Sequence, residues 1–508
     1  MRSFFSLGIN RTKLSHELCA EVRRFYAPLT ACYADMVARL YEDRGQVEQA
    51  VNEWQVAKLL KDESIDSMAC QALLKSVNAN DEIRLQAQLH WASEHAITLG
   101  DDASVKFKAY DGRRKLTIGY VCAWWDSSTI RGQAIPFISR HDKSRFRIIG
   151  YSLNSCGRSI TEHFDEFVVI ANLSHENFAK RVRSDGIDAL VEFTGFSPHH
   201  RHAAMGARCA PVQISYLNHA GTSGVANVDY VMADQTAAPP GIDVHYTETI
   251  YRLPGTFFNF NYEWDQIPDA GSSPFLRNSG VTFGCFGSQS KINDAQIYMW
   301  AQLLLRIPES RLFLRNRGLT SQRDRAFMMR RFAQWGVHEG RIRLEPGGDR
   351  YSILKDYSEV DISLDTWPYN GGNTIAESLW QGVPVITLSG DTFASRYGAS
   401  LLAASGCADL VAEDLDSLIR KAQQLSEDKE RLVKLRRGLR QMMKEYGFAD
   451  SERFCKSWED AMSATVKAAL CGSSQSGQTA AKKANKAVAL GQFKGRAEIR
   501  DRLSKPFF

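Results

Sequence analysis

The clearest pattern in this sequence lies in residues 360–387, which read Val360-Asp-Ile-Ser-Leu-Asp-Thr-Trp-Pro-Tyr-Asn-Gly-Gly-Asn-Thr-Ile-Ala-Glu-Ser-Leu-Trp-Gln-Gly-Val-Pro-Val-Ile-Thr387. A short apolar run ends at Leu364, a polar loop with two glycines follows, and a helix is predicted from Asn373 or Thr374 to about residue 381. A second apolar run begins at Pro384. Strand, helix and strand in this order predict two parallel strands joined by a crossover helix.

The loop before this helix has the composition of an anion-binding turn. Gly371 and Gly372 let a ligand approach the backbone closely. The helix N-terminus offers free N–H groups and partial positive charge to a diphosphate. Thr374 adds a hydroxyl beside Asn373, and Glu377, one turn further along, can accept hydrogen bonds from a ribose. On these residues alone, an ordinary capped strand-to-helix turn is an equal alternative.

Strands and helices alternate on both sides of this segment. In the N-terminal direction we predict strands at 116–122, 146–152, 167–170, 189–193, 211–216 and 230–233, with helical stretches such as 177–183 between several of them. After a linker rich in Asp, Pro, Gly and Ser at 264–280, the second series predicts strands at 281–286, 311–315, 342–344, 360–364 and 384–388, helices at 293–306, 321–335, 350–357 and 374–381, and mostly helix from 394 to 469. Two such series predict an α/β fold of two Rossmann-like lobes, with ligands bound beyond the carboxyl ends of the strands.

Composition sets wide limits on function. The chain has 508 residues, 44% hydrophobic and 24% charged, and a net charge of +5, which is typical of a soluble globular protein of two to four domains and does not indicate nucleic-acid binding. Its ten cysteines are scattered, and because none forms a Cys-x-x-Cys pair we expect free thiols in a reducing cytoplasm and no zinc site. We expect neither a signal peptide nor a membrane span.

The predicted domains begin with a helical region. Residues 1–112 are rich in Ala, Leu, Glu and Gln, and residues 33–54, with Gly45 at the turn, look like one tetratricopeptide (TPR) unit, although a plain helical hairpin is the alternative. Residues 113–270 and 271–469 form the two lobes. Residues 470–508 carry eight Lys or Arg against Glu498 and Asp501, which predicts a disordered basic tail.

Segments in several parts of the chain resemble the protein O-GlcNAc transferase family in the family's own order. They include Leu116-Thr-Ile-Gly-Tyr-Val, Ala210-Pro-Val-Gln-Ile-Ser-Tyr with the following Gly221-Thr-Ser-Gly, Leu253-Pro-Gly-Thr-Phe, Phe286-Gly-Ser-Gln-Ser-Lys-Ile and the 360–387 segment. The likeness covers about residues 115–465. It implies a two-lobed GT-B fold and an inverting transfer of a sugar from a UDP-sugar, GlcNAc being favoured, to a hydroxyl of a protein Ser or Thr.

The resemblance also implies roles for residues. Lys291 would pair with the donor diphosphate and take the place of a metal, so no metal or other cofactor is expected. Arg350 falls near the family's base-contacting lysine. Tyr369 and Asn370 would flank the sugar or the diphosphate, and Tyr369 is bulky where animal members have a small residue, which leaves the sugar open.

The sequence departs from the family where a histidine is expected after the first catalytic strand. Here the residues read Cys122-Ala-Trp-Trp-Asp-Ser-Ser-Thr-Ile-Arg-Gly-Gln133. Asp126 is the nearest candidate base, because a carboxylate in a cleft can be tuned for proton transfer. His219, before Gly221-Thr-Ser-Gly, is a second candidate, and the donor phosphate is a third.

Three other functions stay open at this point. The enzyme could modify a surface glycan or a lipid carrier, since the shortened helical region leaves at most one or two TPR units to hold a protein. It could be a silent adaptor, which the histidine missing after the first catalytic strand favours and the retained Lys291 and Thr374 oppose. A sugar-nucleotide epimerase on the same fold is the third.

Overall fold

A computed structural model describes residues 34–57, 62–102, 104–261, 267–269, 271–445 and 448–471. The predicted tail lies outside these residues apart from its first two positions, as do residues 1–33 and part of the predicted linker at 264–280. The predicted fold class is confirmed: a helical region precedes two lobes, each built on a parallel sheet.

The helical region consists of α1 (residues 34–43), α2 (Val47–Ala57), α3 (Glu63–Leu73) and α4 (Asp81–His95). Gly45 makes the turn between α1 and α2 with φ of 70°, a conformation that glycine adopts without steric cost. Asp62 and Asn80 cap α3 and α4 through their side chains. Trp54 is fully buried in the core of the region and its indole donates to Asp35 (3.1 Å). Assignment of these helices to the TPR class stays a prediction.

The first lobe is a parallel sheet with helices on its faces. Its strands are β1 (Leu116–Cys122), β2 (Phe146–Ser152), β3 (Glu166–Val169), β4 (Ala189–Glu192), β5 (Val212–Ser215), β6 (Tyr230–Ala233) and β7 (Thr249–Arg252), and its helices are α5 (Ser128–Gln133), α6 (Ile135–Ile138), α7 (Arg158–Thr161) and α8 (His175–Ser184). The strand order is β3-β2-β1-β4-β5-β6-β7. All seven residues of β1 are buried, as expected for a central strand covered on both faces.

The second lobe repeats this design. Its strands are β8 (Thr282–Cys285), β9 (Arg311–Asn316), β10 (Ile342–Pro346), β11 (Ile362–Leu364), β12 (Val385–Leu388) and β13 (Val411–Ala412), and its helices are α9 (Asp294–Arg306), α10 (Gln322–Ala333), α11 (Arg350–Asp356), α12 (Asn373–Trp380), α13 (Tyr397–Ala403), α14 (Leu415–Glu427) and α15 (Lys429–Glu445). The order β10-β9-β8-β11-β12-β13 places β8 and β11 side by side at the centre. The loops after these two strands therefore meet at one edge of the sheet.

The last described helix, α16 (Ser451–Cys471), returns to the first lobe. Trp458 is fully buried; its indole donates to the Tyr120 hydroxyl on β1 (2.8 Å), and its ring packs 5.5 Å from that of Phe137. The predicted boundaries assign these residues to the second lobe by sequence position. In space, α16 packs on the first lobe and so joins the last described residues to β1.

Trp458→Phe is expected to destabilise the protein by about 1–2 kcal/mol, since it removes the bond to Tyr120 and leaves part of the indole volume empty. Urea unfolding followed by circular dichroism measures the change. Trp335→Phe is the matched control because Trp335 is 44% exposed, and it should change stability by less than about 0.5 kcal/mol. Equal losses in the two variants would contradict the role of α16.

The composition predicted free cysteines and no membrane-spanning segment. Seven of the cysteines in the described ranges, those at positions 70 to 455, are free thiols, and six of these seven are buried. Across the described part of the chain, no helix combines the length and apolar character that a membrane span requires.

Candidate functional site

A cleft of about 210 Å³ lies between the two lobes at the carboxyl ends of their strands. The first lobe contributes Thr129, Gln133, Leu217, Asn218 and Phe258, and the second contributes Gly287, Ser288, Lys291, Tyr369, Asn370, Gly372, Asn373, Thr374 and Tyr397. Six of the residues predicted to bind a nucleotide sugar thus meet in one place. The structure brings the loop after β8 and the loop after β11 together, although they are about eighty residues apart in sequence.

Lys291 ends a short turn after β8 and extends across the cleft floor. Its ammonium donates to the backbone carbonyl of Asn370 (2.9 Å) and lies 3.8 Å from the centre of the Tyr369 ring. Burial lowers the pKa of Lys291 below the ordinary lysine value, an effect that nearby Asp365 partly offsets. A cation held in this way can pair with an entering diphosphate.

Asp365 is the negative partner of this cation and was not singled out from the sequence. It follows β11 directly, is 8% exposed, and accepts hydrogen bonds from Gly371 N (2.7 Å) and Thr387 Oγ1 (2.7 Å). Burial raises the pKa of Asp365, and the hydrogen bonds and Lys291 oppose that rise. The sequence feature that could have identified Asp365 is its position directly after a predicted parallel strand, where ligand-binding residues often lie.

The glycine loop brings α12 close to the cleft. A Cβ at Gly371 would lie 2.3 Å from Thr374 Oγ1 and 3.1 Å from Asp365 Oδ1, so any other residue there would have to displace the Thr374 side chain. Gly372 precedes α12 without a side chain to cap the first N–H groups of the helix. Both polar atoms of the Asn373 amide are shielded from solvent and have no hydrogen-bond partner among the described residues. The Asn373 amide nitrogen and the first N–H groups of α12 are therefore donors directed to one place, which suits an anion, while the Asn373 amide oxygen can only accept.

Asn370 contributes to the cleft through its backbone. Its side chain is fully buried, donates to the Thr366 carbonyl (2.8 Å) and accepts from Gly398 N (3.2 Å). These bonds hold the loop in shape, so its amide is not directed at a ligand. The Tyr369 ring lies between Lys291 and Tyr397, with its centre 6.3 Å from that of Tyr397.

Arg350 and Glu377 pair with each other beside the cleft. An Arg350 guanidinium nitrogen lies 2.8 Å from Glu377 Oε1, and the Glu377 side chain is 5% exposed. Burial raises the pKa of Glu377 and Arg350 opposes that effect. Arg350 and Glu377, which were predicted to contact the base and the ribose, therefore form an ion pair with each other. The sequence did not predict this pairing.

The two candidate side-chain bases do not line the cleft. Asp126 is exposed in the loop between β1 and α5, before the cleft-lining Thr129. His219 is buried in the first lobe, where its ring packs 4.7 Å from that of Phe196 and its Nε2 lies 2.9 Å from the Thr222 carbonyl. Burial lowers the pKa of His219 to about 4, so the ring is neutral at pH 7.

Hydrogen bonds join the lobes next to the cleft. The Tyr397 hydroxyl donates to the Leu217 carbonyl (3.0 Å), and Arg396 Nε donates to the Thr236 carbonyl (2.8 Å). The Ser400 hydroxyl donates to Asp234 across the same boundary. The first and second lobes are therefore in direct contact beside the cleft.

A second, larger cavity of about 600 Å³ lies on the other side of the loop that carries Tyr369. It is lined by the α3–α4 connection of the helical region, by residues 241–245 of the first lobe and by Trp367, Pro368 and residues 390–395 of the second. Asp81, Glu82 and Asp391 are among these residues. All three parts of the protein therefore border this cavity.

The sequence profile of glycosyltransferase family 41 matches residues 94–264 and 272–458, which include both lobes and every cleft residue named above. The chain belongs to this family. The match begins at residue 94, near the end of α4, and stops at residue 458 within α16, so it contains the sheets of both lobes.

Relatives in family 41 include bacterial and plant proteins. An O-GlcNAc transferase of Thermobaculum terrenum, solved as a lysine-to-methionine mutant, has 30% identity and a TM-score of 0.81 over 89% of this chain and 88% of its own. The probable UDP-N-acetylglucosamine–peptide N-acetylglucosaminyltransferase SPINDLY of Arabidopsis thaliana is 32% identical over 66% of this chain, and that of Solanum lycopersicum is 30% identical over 68%. The match covers 37% and 38% of those plant proteins, so the chain spans less than two fifths of the curated relatives it resembles.

One cluster in the described residues has metal-ligand chemistry, and it lies under α16 rather than in the cleft. His141 Nδ1, Cys455 Sγ and Glu459 Oε1 are 3.1 to 3.9 Å apart. The Nε2 of His141 lies 2.8 Å from the Tyr120 hydroxyl, and Asp142 N donates to Glu459 (2.7 Å). Because these polar atoms already bond to one another, we interpret the cluster as a hydrogen-bonded tie between α16 and the first lobe.

An Asp-x-Asp pattern at Asp414-Leu415-Asp416 is likewise outside the cleft. Asp414 caps α14 by accepting from Ser417 N (2.6 Å), and Asp416 pairs with Arg306 (3.0 Å) at the surface. Neither carboxylate is among the residues that line the cleft. Asp365 contacts the glycine loop directly, but its carboxylate already accepts hydrogen bonds from Thr366 N, Gly371 N and Thr387 Oγ1.

Proposed function

We propose that this protein is an inverting, metal-independent glycosyltransferase that moves a sugar from a UDP-sugar to a hydroxyl of a protein Ser or Thr. The observation that carries the proposal is the convergence of the Lys291 ammonium and the uncapped N-terminus of α12 on one interlobe cleft. A cation and free N–H groups at one point suit a diphosphate leaving group. Membership of family 41 supports the same reaction class.

In this reaction the acceptor oxygen attacks the anomeric carbon as the bond from that carbon to the diphosphate oxygen breaks. The electron pair of the broken bond goes to the leaving UDP, whose charge Lys291 and the first N–H groups of α12 stabilise. Attack from the face opposite the leaving group inverts the anomeric centre. Because the protein supplies its own cation, no step requires a metal ion.

The acceptor proton goes to a phosphate oxygen of the donor in this proposal. The residues that line the cleft in the described part of the chain include neither a carboxylate nor a histidine. Asp126 is exposed and His219 is buried away from the lining, so we place neither in the role of base. Gln133, 5% exposed and with its side-chain carbonyl oxygen unbonded, faces the cleft from the first lobe and can orient the acceptor.

The names of the plant and bacterial relatives support GlcNAc as the sugar and a polypeptide as the acceptor. A polypeptide can lie in the 600 Å³ cavity, which the helical region and both lobes border and which the loop with Trp367 and Tyr369 separates from the cleft. Asp81 of that cavity is paired with Arg84, and the carboxylates of Glu82 and Asp391 favour an acceptor segment with a basic residue near the modified hydroxyl. The free cysteines support the cytoplasm as the compartment.

Calorimetric titration of a panel of UDP- and GDP-sugars, with and without EDTA, tests the proposal. UDP-GlcNAc is expected to bind most tightly, without loss in EDTA, and mass spectrometry should show one added sugar on Ser or Thr peptides. Binding of a GDP-sugar or another UDP-sugar would correct the donor. If neither UDP nor any nucleotide sugar bound, the enzyme proposal would fail and the silent adaptor would take its place.

A further inference from the structure

The turn that carries Lys291 contacts the helical region as well as its own lobe. A Cβ at Gly45, in the turn between α1 and α2, would lie 2.2 Å from the carbonyl oxygen of Ile292 and 2.9 Å from that of Gln289. These two carbonyls flank Lys291 in sequence. The backbone of the turn between α1 and α2 therefore packs against carbonyl groups on both sides of Lys291, the residue that we propose binds the donor phosphates.

A buried arginine fastens this contact. Arg331 on α10 is 5% exposed, and its Nη1 donates to the carbonyls of Ile292 (3.1 Å) and Arg44 (3.4 Å). Its Nε donates to Asp294 at the start of α9 (2.9 Å). One guanidinium thus links the turn after β8 to the turn at Gly45. Separating the two turns would leave buried carbonyl groups without a hydrogen bond, and this free-energy cost stabilises the contact.

The helical region also acts on the charge of Lys291. Burial lowers the pKa of Lys291 most, the carboxylate of Asp365 raises it, the ammonium of Lys75 lowers it and the thiol of Cys285 raises it slightly. Lys75 follows α3 and pairs with Glu42 of α1. Position and charge at Lys291 therefore both depend on the packing of α1 to α3 against the second lobe.

We propose that the turn between α1 and α2 is a positioning element for the donor site, in which the Gly45 backbone sets the place of Lys291 through the carbonyls of Gln289 and Ile292. The inference rests on the proposed role of Lys291 in donor binding. It assigns the helical region a function on the donor side of the reaction, in addition to any contact with the acceptor. Only glycine fits, because the turn has positive φ and there is no room for a side chain.

The test separates this contact from the general cost of replacing a glycine. Gly336 has φ of 79°, close to the 70° of Gly45, but a Cβ there would meet no atom within 4 Å. Gly45→Ala and Gly336→Ala therefore carry a similar backbone penalty, and only the first disturbs the Lys291 turn. In full-length protein titrated with UDP, we expect Gly45→Ala to weaken binding about tenfold and Gly336→Ala by less than about twofold.

The pH dependence of UDP binding is the second readout. Displacing the turn exposes Lys291 to water, so its pKa should rise toward the ordinary value and the loss of binding at alkaline pH should move to higher pH. Gly336→Ala should leave that loss where it is in the wild type. Equal affinities and unmoved alkaline limbs in the two glycine variants would overturn the proposal.

A second pair of variants covers the case in which Gly45→Ala does not fold. Arg331→Gln removes the link to Ile292 and Arg44, whereas Arg341→Gln removes comparable bonds to the carbonyls of Leu304, Ile307 and Ser310, far from the cleft. Only Arg331→Gln should weaken UDP binding and shift the alkaline limb. If Lys291→Ala bound UDP as tightly as the wild type, the proposed function would fail together with this inference; if only Lys291→Ala lost binding, the positioning role alone would fail.

Discussion

Lys291→Ala is expected to lower kcat/KM by roughly 10²–10³-fold and to weaken UDP binding strongly, with little change in thermal stability. The variant removes the charged side chain of the cleft that can pair with a diphosphate and leaves the α12 N-terminus to act alone. The buried Asp365 keeps its three hydrogen bonds from Thr366, Gly371 and Thr387, so the glycine loop should hold its shape. Steady-state kinetics and UDP calorimetry measure both effects.

Two controls make this result specific. Lys434→Ala removes an exposed lysine of α15 and should leave kcat/KM within about twofold of the wild type. Lys291→Arg keeps the charge but replaces a compact ammonium with a planar fork that does not fit between the Tyr369 ring and the Asn370 carbonyl, so partial activity is expected. Full activity in Lys291→Ala would exclude the diphosphate role of this residue.

The pH dependence of the wild type follows from the same cation. Donor binding requires the ammonium form, and burial lowers the pKa of Lys291 in the free enzyme. Donor affinity should therefore be complete below that lowered pKa and should fall as pH rises through it, at a pH below the ordinary range for lysine.

The fold was predictable from sequence where burial is local and continuous. β1, β2 and the 360–387 segment are apolar runs bounded by polar loops, and each strand lies within two residues of its predicted position. β7 and β13 were not predicted, because β7 lies at the edge of its sheet with mixed exposure and β13 has two residues. The return of α16 was also missed, since its bond from Trp458 to Tyr120 joins residues 338 positions apart.

In the candidate site, too, the residues that belong to short local motifs could be predicted, and the contacts between distant segments could not. Lys291, the glycine loop and Thr374 were identified because short motifs carry their chemistry, and the cleft brings them together. The pairing of Arg350 with Glu377 and the contact of Gly45 with Ile292 depend on elements far apart in sequence. Gly45 was predicted as a turn glycine, which explains its φ but not the lack of space around it.

Asp365→Asn is expected to lower kcat/KM by roughly 10²-fold at alkaline pH through the charge of Lys291. Asparagine has nearly the same shape: its carbonyl can accept from Thr366 N and Gly371 N, and its amide can donate to Thr387 Oγ1. The loop should therefore persist, with a stability loss of about 1–3 kcal/mol. What disappears is the negative charge that raises the pKa of Lys291.

The sign of the pH shift distinguishes this effect from a structural one. Without the carboxylate, the pKa of Lys291 should fall further, so the alkaline loss of UDP binding should move to lower pH, opposite to the shift expected for Gly45→Ala. Asp361→Asn is the matched control: Asp361 lies at the other end of β11, is 2% exposed and accepts from Thr282 N (2.8 Å) and Phe275 N (3.1 Å). It should cost similar stability and leave the alkaline limb unmoved, because its carboxylate is not among the charges that act on Lys291. An Asp365→Asn profile that coincides with the wild type would show that Lys291 and Asp365 do not act as a charged pair in the donor site.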